Sequence, residues 1–297
     1  MMNYLEKYSY TPDESRIASN LDSIASNLDA FASEETYKKC FSVMDLTTLR
    51  TNDTPDYVKL FVEKVNGLQQ AYPAYPLPAS VCVYPNFAET VARTRNNPEL
   101  HVTVVSSCFP SAQSFIEVKE LECALAVRNG AEEIDIVLAL NSFLEGDGQK
   151  AFDEIVRMKQ VIDSEAAKLG RKVVLKVILE TGLLVSLENI ANASFLAMEA
   201  GADFIKTSTG KVDVNATPAA AFVMCECIAA YYKASGRKVG FKAAGGISTA
   251  KDALCYYSIV ANVLGHDWLD KSLFRLGVSR LGNSLISAIE QTTVKYF

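Results

Sequence analysis

From residue 40 onward, short apolar runs alternate with longer segments of helical periodicity, and this alternation constrains the fold more than any other feature. A run of about four to eight apolar and β-branched residues between turn signals predicts a buried strand. Eight such runs occur, at residues 41–44, 80–84, 101–105, 133–138, 172–179, 203–206, 239–242 and 274–277.

The segments between the runs carry helix signals. Thr54-Pro55 and Thr217-Pro218 predict helix starts, and Gly67 and Gly236 predict the corresponding ends. Strand then helix, repeated eight times over ~250 residues, predicts right-handed parallel crossovers and an α/β fold, a closed (β/α)8 TIM barrel. An open doubly wound sheet is the alternative. It would usually carry a glycine-rich turn after its first strand, and residues 45–48 contain no glycine.

Residues 1–35 read as a helical extension, and residues 36–297 as a single barrel domain that holds the catalytic site. Thr11 is the predicted N-cap of the helix, and the sequence Ile-Ala-Ser-Asn-Leu-Asp follows twice, at 17–22 and 24–29. Helical spacing places five apolar residues on one stripe: Ile17, Leu21, Ile24, Leu28 and Phe31. Two interpretations stay open, a helix packed on the barrel and a helix that binds a partner. The sequence also leaves open whether the chain forms a homodimer.

Composition narrows the function classes. A net charge of −6 and a pI near 5.2 argue against a nucleic-acid partner, but they permit a small phosphorylated ligand. The longest charge-free run, residues 67–88, holds four prolines and cannot cross a membrane, and the first residues carry no secretion signal. Seven scattered cysteines without a Cys-x-x-Cys motif, and only two histidines, predict reduced thiols, no metal site and a cytoplasmic location.

The informative anomaly is charge inside the predicted strands. Asp135, Lys176, Lys206 and Lys242 each follow or separate apolar residues in four consecutive strand units. Because side chains alternate across a strand, the apolar neighbours face the helices and the charges face the barrel interior. Four interior charges on adjacent strands can contact one another.

The sequence allows two interpretations of these charges. One is a structural salt-bridge cluster, with the three lysines against Asp135 and Glu180, but the lysines outnumber the nearest acid. The other is a catalytic lysine. A free lysine has a pKa of ~10.4 and is a poor nucleophile at neutral pH, whereas burial and a second ammonium lower that pKa. The second interpretation predicts an amine that attacks a carbonyl and forms a Schiff base.

Short polar turns follow the lysine strands. Thr207-Ser-Thr-Gly210 follows Lys206, residues 243–246 follow Lys242, and Gly277-Val-Ser279 follows the last predicted strand. Glycines at the carboxyl ends of strands seven and eight match the usual phosphate site of such barrels, where backbone N–H groups hold the anion.

In these residues and their order, the sequence resembles the deoxyribose-phosphate aldolases, which are class I aldolases on a (β/α)8 barrel. The resemblance runs from about Met44 to about Ser287. It is carried by these stretches: Met-Asp-Leu-Thr-Thr-Leu (44–49), Val-Cys-Val-Tyr-Pro (81–85), Glu-Ile-Asp-Ile-Val (133–137), Leu-Lys-Val-Ile-Leu-Glu-Thr-Gly (175–182), Gly-Ala-Asp-Phe-Ile-Lys-Thr-Ser-Thr-Gly-Lys-Val (201–212), Asn-Ala-Thr-Pro (215–218) and Gly-Phe-Lys-Ala-Ala-Gly-Gly-Ile (240–247).

The resemblance implies a role for each matched residue. Lys206 is the Schiff-base nucleophile, Lys242 lowers its pKa, and Asp135 moves protons together with Lys242 and a water. Lys176 is a further interior charge, grouped with the residues expected to bind substrate or phosphate. The others in that group are Thr207, Gly210, Gly245, Gly246, Ser279 and Arg280.

The implied reaction, part of deoxyribonucleotide catabolism, is the reversible cleavage of 2-deoxy-D-ribose 5-phosphate to D-glyceraldehyde 3-phosphate and acetaldehyde. It uses a lysine imine and neither metal nor cofactor. Two alternatives stay open: a lysine aldolase for another phosphosugar or keto-acid, and a non-catalytic scaffold on the same barrel.

Three positions depart from the family pattern near the expected phosphate site. The family usually has Phe-Lys-Pro-Ala-Gly-Gly-x-Arg, and this chain has Ala243 and Ser248; two small hydroxyl residues are common where Ser279 is followed by Arg280. A guanidinium at 280 can substitute as a phosphate partner, since it binds phosphate in a bidentate manner. Some members place a C-terminal tyrosine in the active site, which makes Tyr296 a candidate here.

Overall fold

A computed structural model of the chain describes residues 3–297. Eight parallel strands hydrogen-bond in sequence order, and β1 also pairs with β8, so the sheet closes into a barrel. The strands are β1 (Met44–Thr47), β2 (Ser80–Val83), β3 (His101–Val105), β4 (Glu133–Val137), β5 (Val174–Ile178), β6 (Phe204–Lys206), β7 (Gly240–Ala244) and β8 (Phe274–Val278). The predicted (β/α)8 barrel is confirmed.

Helices separate the strands and cover the outside of the barrel. The α-helices are α1 (Tyr4–Lys7), α2 (Glu14–Ser26), α3 (Glu34–Ser42), α4 (Pro55–Asn66), α5 (Leu68–Ala71), α6 (Ala88–Thr94), α7 (Ile116–Arg128), α8 (Leu140–Leu144), α9 (Gly148–Lys168), α10 (Thr181–Leu184), α11 (Leu187–Glu199), α12 (Pro218–Ser235), α13 (Ala250–Val263) and α14 (Leu281–Glu290). Three 3₁₀ turns lie at Leu28–Phe31, Pro85–Phe87 and His266–Trp268.

The proline and glycine signals locate two of these helices correctly. The hydroxyl of Thr54 accepts a hydrogen bond from the backbone of Tyr57, and Thr217 caps α12 in the same way. Gly236 ends α12 in the left-handed region at φ 71°, where a residue with a side chain would be strained.

The first strand was predicted in the wrong place. Residues 41–43 do not belong to it, because α3, capped by Ser33, runs through Ser42 and buries Phe41 in its inner face. Strand β1 starts at Met44 instead, with Met44 and Leu46 packed outward against the helices and Asp45 turned inward, as the alternation of side chains requires.

The N-terminal helix also differs in detail from its prediction. Asp13, not Thr11, is the N-cap of α2, since its carboxylate accepts from the backbone of Arg16. The single stripe is split between α2 and the 3₁₀ turn that begins at Leu28. Ile17 and Leu28 are buried in the same apolar core as the barrel, and α2 packs on α12 and α13. The apolar face of α2 therefore packs on the barrel, as the first of the two interpretations predicts. The division of the chain into an extension and a barrel domain at residue 35 stays a prediction.

Across residues 3–297, no helix is both long and apolar enough to span a bilayer.

Candidate active site

Strand register brings the predicted site residues together. Lys206 is the last residue of β6 and pairs in register with Lys242 on β7, while Asp135 on β4 pairs with Lys176 on β5. All four side chains are buried. The barrel interior near the carboxyl ends of the strands, where enzymes of this architecture place their active sites, therefore holds three ammonium groups and a carboxylate.

Asp135 is the common partner of the three lysines. Its Oδ2 accepts from Lys206 Nζ at 2.8 Å and from Lys242 Nζ at 2.7 Å, and its Oδ1 accepts from Lys176 Nζ at 3.0 Å. Because Lys206 and Lys242 both donate to Oδ2 of Asp135, their Nζ atoms are held close to each other. Each ammonium is close enough to disfavour protonation of the other.

Three further charged residues complete the cluster, and the sequence argument missed all of them. Asp45 accepts from Lys242 Nζ, and its Oδ1 also accepts from Ser80 at 2.8 Å. Glu133 binds Arg275 through Nη1 at 2.9 Å and Nη2 at 2.6 Å. Arg275 Nη1 also donates to Asp45, so the three residues form one connected group beside the lysines.

The same alternation signal could have found them. Asp45 lies between Met44 and Leu46, and Arg275 lies between apolar residues of β8. Asp45 was missed because the first strand was set too early in the chain. Glu180, considered as a partner for the lysines, instead binds the backbone N–H and hydroxyl of Thr209.

The buried cluster has an excess of positive charge if every group is ionised. Among residues 3–297 it contains four cations and three carboxylates: Lys176, Lys206, Lys242 and Arg275 against Asp45, Glu133 and Asp135. An unbalanced buried charge costs several kcal/mol, about 3–5 where one partner of a pair is missing. One neutral lysine would balance the cluster.

Lys206 is the lysine whose surroundings favour the neutral form. Burial lowers the pKa of its ammonium, Asp135 opposes that effect, and the neighbouring Lys242 lowers the pKa further, so that the net shift is downward. Lys242 behaves in the opposite way. Burial also lowers its pKa, but Asp135 and Asp45 outweigh this and raise the pKa above the usual lysine range.

The remaining members of the cluster stay charged. Burial lowers the pKa of Lys176, but Asp135, Glu133 and Asp45 together raise it above its ordinary value. Burial raises the pKa of the Asp135 carboxyl, but the three lysines outweigh burial and hold it well below its ordinary value. The cluster thus combines one amine poised to be neutral with charged groups that fix its position.

A cavity of about 480 Å³ opens beside Lys206. Of the residues predicted to bind substrate or phosphate, five line it together with Lys206: Gly210, Gly245, Gly246, Ser279 and Arg280. The cavity wall also includes residues that the sequence argument did not select: Thr47, Thr48, Arg50, Tyr57 and Lys211. Thr47 is the last residue of β1, Thr48 and Arg50 follow it, Tyr57 lies in the first turn of α4, and Lys211 follows β6. Their shared sequence signal is a position at or after the carboxyl end of a strand.

Gly245 and Gly277 give the site its shape. Gly245 has φ 86°, and a Cβ there would lie 2.6 Å from the Cβ of Asn215. A Cβ on Gly277 would lie 2.9 Å from the Cβ of Ala244 and 3.0 Å from Cε of Lys242. Side chains are therefore excluded at both positions, and the absence of one at 277 leaves room for the Lys242 side chain.

Two of the predicted substrate-binding residues do not line the cavity. The hydroxyl of Thr207 is buried, where it donates to the backbone oxygen of Ala244 at 3.2 Å and accepts from its N–H at 3.0 Å. Lys176 is fully buried against Glu133 and Asp135. The Thr207 hydroxyl thus ties β6 to β7, and Lys176 is held between two carboxylates; substrate binding by either residue stays a prediction.

Tyr296 and Ser248 also lie away from the cavity wall. The hydroxyl of Tyr296 donates to the backbone oxygen of Lys64 at 2.7 Å, and its backbone N–H is held by Asn283. Ser248 is exposed, and its N–H donates to Asp252 at 3.0 Å. In this structure neither the C-terminal tyrosine nor residue 248 reaches the lysines.

Among residues 3–297, no group of three or more histidine, cysteine, aspartate or glutamate side chains is arranged to hold a metal ion. The carboxylates of the interior cluster are instead bound by lysines and by Arg275.

A closed (β/α)8 barrel that carries a buried amine of lowered pKa at the wall of a cavity is the architecture of an enzyme, and such an amine is suited to attack a carbonyl group. The family comparison agrees: a family model described as DeoC/LacD family aldolase matches residues 40–261. The chain belongs to this family, and the family is one of lyases.

Individual relatives point the same way. A protein of Caenorhabditis elegans named "Putative deoxyribose-phosphate aldolase" is 38% identical over 271 residues, which cover 91% of this chain and 86% of that protein. A solved aldolase called QR15 is 25% identical, with a TM-score of 0.63 over 85% of this chain and 95% of that one. A deoxyribose phosphate aldolase of Aeropyrum pernix, described as tetrameric, shares the fold at 22% identity, with a TM-score of 0.66 over 94% of this chain and 98% of that one.

Proposed function

We propose that this protein is a class I aldolase that reversibly cleaves 2-deoxy-D-ribose 5-phosphate to D-glyceraldehyde 3-phosphate and acetaldehyde. One observation carries the proposal. Lys206 is the only cation of the buried cluster in residues 3–297 that also lines the cavity, and it is the one whose pKa is lowered. The sugar follows from the name of the C. elegans relative and from the motifs quoted above.

The reaction begins at Lys206. The lone pair of Nζ attacks C1 of the open-chain aldehyde, and the carbonyl oxygen takes a proton to give a carbinolamine. Loss of that oxygen as water gives the iminium ion, which withdraws electrons from C2. This attack needs a neutral amine, which burial beside Lys242 favours.

Carbon–carbon cleavage follows from the iminium ion. The C3 hydroxyl loses its proton, C3 becomes a carbonyl, and the C2–C3 bond breaks with its electron pair moving to C2. The products are glyceraldehyde 3-phosphate and an enamine on Lys206. Protonation of the enamine at C2 and addition of water at C1 release acetaldehyde and restore the amine.

Asp135 and Lys242 are suited to the proton transfers. They share a hydrogen bond at 2.7 Å, and Asp135 also contacts the reacting amine. We assign them, together with a water molecule, to proton movement during carbinolamine and imine formation. Lys176 contributes electrostatically by holding the second carboxylate oxygen of Asp135.

The phosphate group is assigned to the part of the cavity formed by the turns after β6, β7 and β8. Gly210, Gly245 and Gly246 line it, as do Ser279 and Arg280 just after β8. Backbone N–H groups of glycine turns at this place are the usual phosphate donors of such barrels. Arg280 replaces the charge that the family usually carries at position 248, where this chain has an exposed serine.

Several expectations accompany the proposal. The covalent lysine imine requires neither metal nor other cofactor. The partners are the phosphorylated sugar and acetaldehyde, with no nucleic acid and no membrane, in the cytoplasm. A homodimer is the assembly to be tested, by light scattering of the purified protein.

The test is reductive trapping. Borohydride added with acetaldehyde is expected to leave a two-carbon adduct on Lys206, located by peptide mass spectrometry. Lys206→Ala should abolish the adduct. Lys150 is exposed, and the control variant Lys150→Met should still form it. A wild-type protein without adduct would contradict the proposal and favour a non-catalytic barrel. An adduct formed only with a three-carbon donor would point to another lysine aldolase.

A further inference from the structure

A further positive group lies on the cavity wall, on the loop after β1. The guanidinium of Arg50 lines the same cavity as Lys206, and about half of its side chain is exposed. None of the roles assigned above uses it.

The loop that carries Arg50 is built around the carboxylate of Asp53. This carboxylate is buried, with 1% of its side chain exposed. It accepts from the Thr48 hydroxyl at 2.8 Å, from the Arg50 backbone at 3.0 Å and from Arg50 Nε at 3.1 Å. Asp53 therefore fixes both the loop and the inner edge of the guanidinium.

An aromatic ring fixes the plane of the same guanidinium. Its central carbon lies 4.0 Å from the centre of the Tyr57 ring, and Tyr57 in turn stacks on Phe61, one turn further along α4. All three groups line the cavity. A stacked guanidinium loses little further freedom when it binds an anion.

These contacts leave the outer edge of Arg50 unused. Within residues 3–297, neither terminal nitrogen of Arg50 donates a hydrogen bond to a protein acceptor. Two parallel N–H donors in one plane match the spacing of two phosphate oxygens.

The charge of the cavity favours an anion at this place. Besides Lys206, three cationic side chains line it, namely Arg50, Lys211 and Arg280, and within residues 3–297 its wall includes no carboxylate residue. The chain as a whole carries −6. A local excess of positive charge in a concave site of an acidic protein attracts anionic ligands.

We propose that Arg50, held in place by Asp53 and Tyr57, binds the phosphate of the substrate and makes the enzyme prefer phosphorylated over unphosphorylated sugars. The inference rests on the proposed function for its substrate. Arg50 belongs to the loop after β1 and Arg280 to the loop after β8, and these two strands are neighbours in the barrel. The phosphate is thus bound from two adjacent loops.

The test compares Arg50→Met with Arg93→Met, a matched loss of an arginine whose side chain is 79% exposed on α6. In Arg50→Met, kcat/KM for 2-deoxyribose 5-phosphate should fall about 10- to 100-fold, mainly through KM, as expected for lost hydrogen bonds to a charged group. Cleavage of unphosphorylated 2-deoxyribose should be unchanged. Arg93→Met should match the wild type on both sugars.

Two further variants separate binding from structure. Arg50→Lys keeps the charge but loses the planar pair of donors, so it should recover only part of the affinity. Tyr57→Leu should raise KM for the phosphorylated sugar without changing kcat. Equal losses on both sugars in Arg50→Met would overturn the proposal, because they would mark a structural role.

Binding of inorganic phosphate, measured by calorimetry at low ionic strength, decides the question independently of the reaction. Arg50→Met should bind phosphate at least about tenfold more weakly than the wild type. An unchanged affinity, or no phosphate binding by the wild type, would overturn the inference. A wild type that binds phosphate through Arg50 but cleaves no 2-deoxyribose 5-phosphate would overturn the proposed substrate and leave the anion site standing.

Discussion

Lys206 and Lys242 are register partners on adjacent strands, and both donate to the same oxygen of Asp135. Two ammonium groups around one carboxylate oxygen cannot both be fully neutralised by it. The pKa of Lys242 rises because it has Asp45 as a second partner, whereas the pKa of Lys206 falls. The unequal number of carboxylates therefore decides which lysine has the lowered pKa.

Replacing Lys242 tests this division of roles. Lys242→Met removes the neighbouring cation and leaves Asp135 more available to Lys206, so both changes raise the pKa of Lys206. Only the neutral amine reacts, so the rate of imine trapping falls at low pH. In Lys242→Met this acid limb of the pH–rate profile should move to higher pH. Lys150→Met should leave the limb in place. An unmoved limb in a folded Lys242→Met protein would show that Lys242 does not tune the nucleophile.

Asp135 should be a major contributor to stability as well as to catalysis. Asp135→Asn leaves three buried lysines without their common carboxylate, which should cost about 3–5 kcal/mol of unfolding free energy. Asp163→Asn, which breaks an exposed pair with Lys159, should cost no more than about 1 kcal/mol. Urea denaturation measures both. Similar losses in the two variants would contradict the buried-cluster description.

Gly277 should be needed for the position of Lys242. Gly277→Ala places a methyl group against Cε of Lys242 and the methyl of Ala244, so it should shift Lys242 and raise the pKa of Lys206. Adding Ala244→Gly relieves one of the two contacts and should restore part of the activity. The pH profile of turnover reports both effects, and a Gly277→Ala protein with the wild-type profile would show that the contact is not limiting.

The packing of α2 predicts a stability effect outside the site. Ile17 is 2% exposed, and Ile17→Ala should cost about 2–5 kcal/mol by removing buried methylene groups and leaving a cavity. Leu60→Ala is a control at a side chain that is 60% exposed, and it should change stability little. If instead α2 binds a partner and packs loosely here, Ile17→Ala would leave the melting temperature of the isolated chain unchanged.

The barrel was predictable because strand and helix signals repeat along the chain, and the lysine cluster was predictable because charges between apolar strand residues must face inward. Asp45 was lost with the first strand, since Phe41 fits a helix face as well as a strand and only tertiary packing decides between them. The residues that line the cavity were harder to predict from the sequence. Arg50 lies on an irregular loop whose shape depends on the hydrogen bonds of Asp53, and no periodicity reports those bonds.

Thr207 and Lys176 show a second limit of prediction from the sequence. The resemblance grouped both with the residues expected to bind substrate or phosphate, but the Thr207 hydroxyl pairs with the backbone of Ala244 and Lys176 is buried against Glu133. Both placements depend on side-chain direction, which the motif alone does not specify.

The most direct test of the central claim is the titration of Lys206 itself, followed by NMR of lysine side chains labelled at Cε and assigned with Lys206→Arg. The account predicts a pKa below 10.5, the ordinary lysine value, and a rise when Lys242 is replaced by methionine. A Lys206 pKa at or above the ordinary value, unchanged in Lys242→Met, would contradict it.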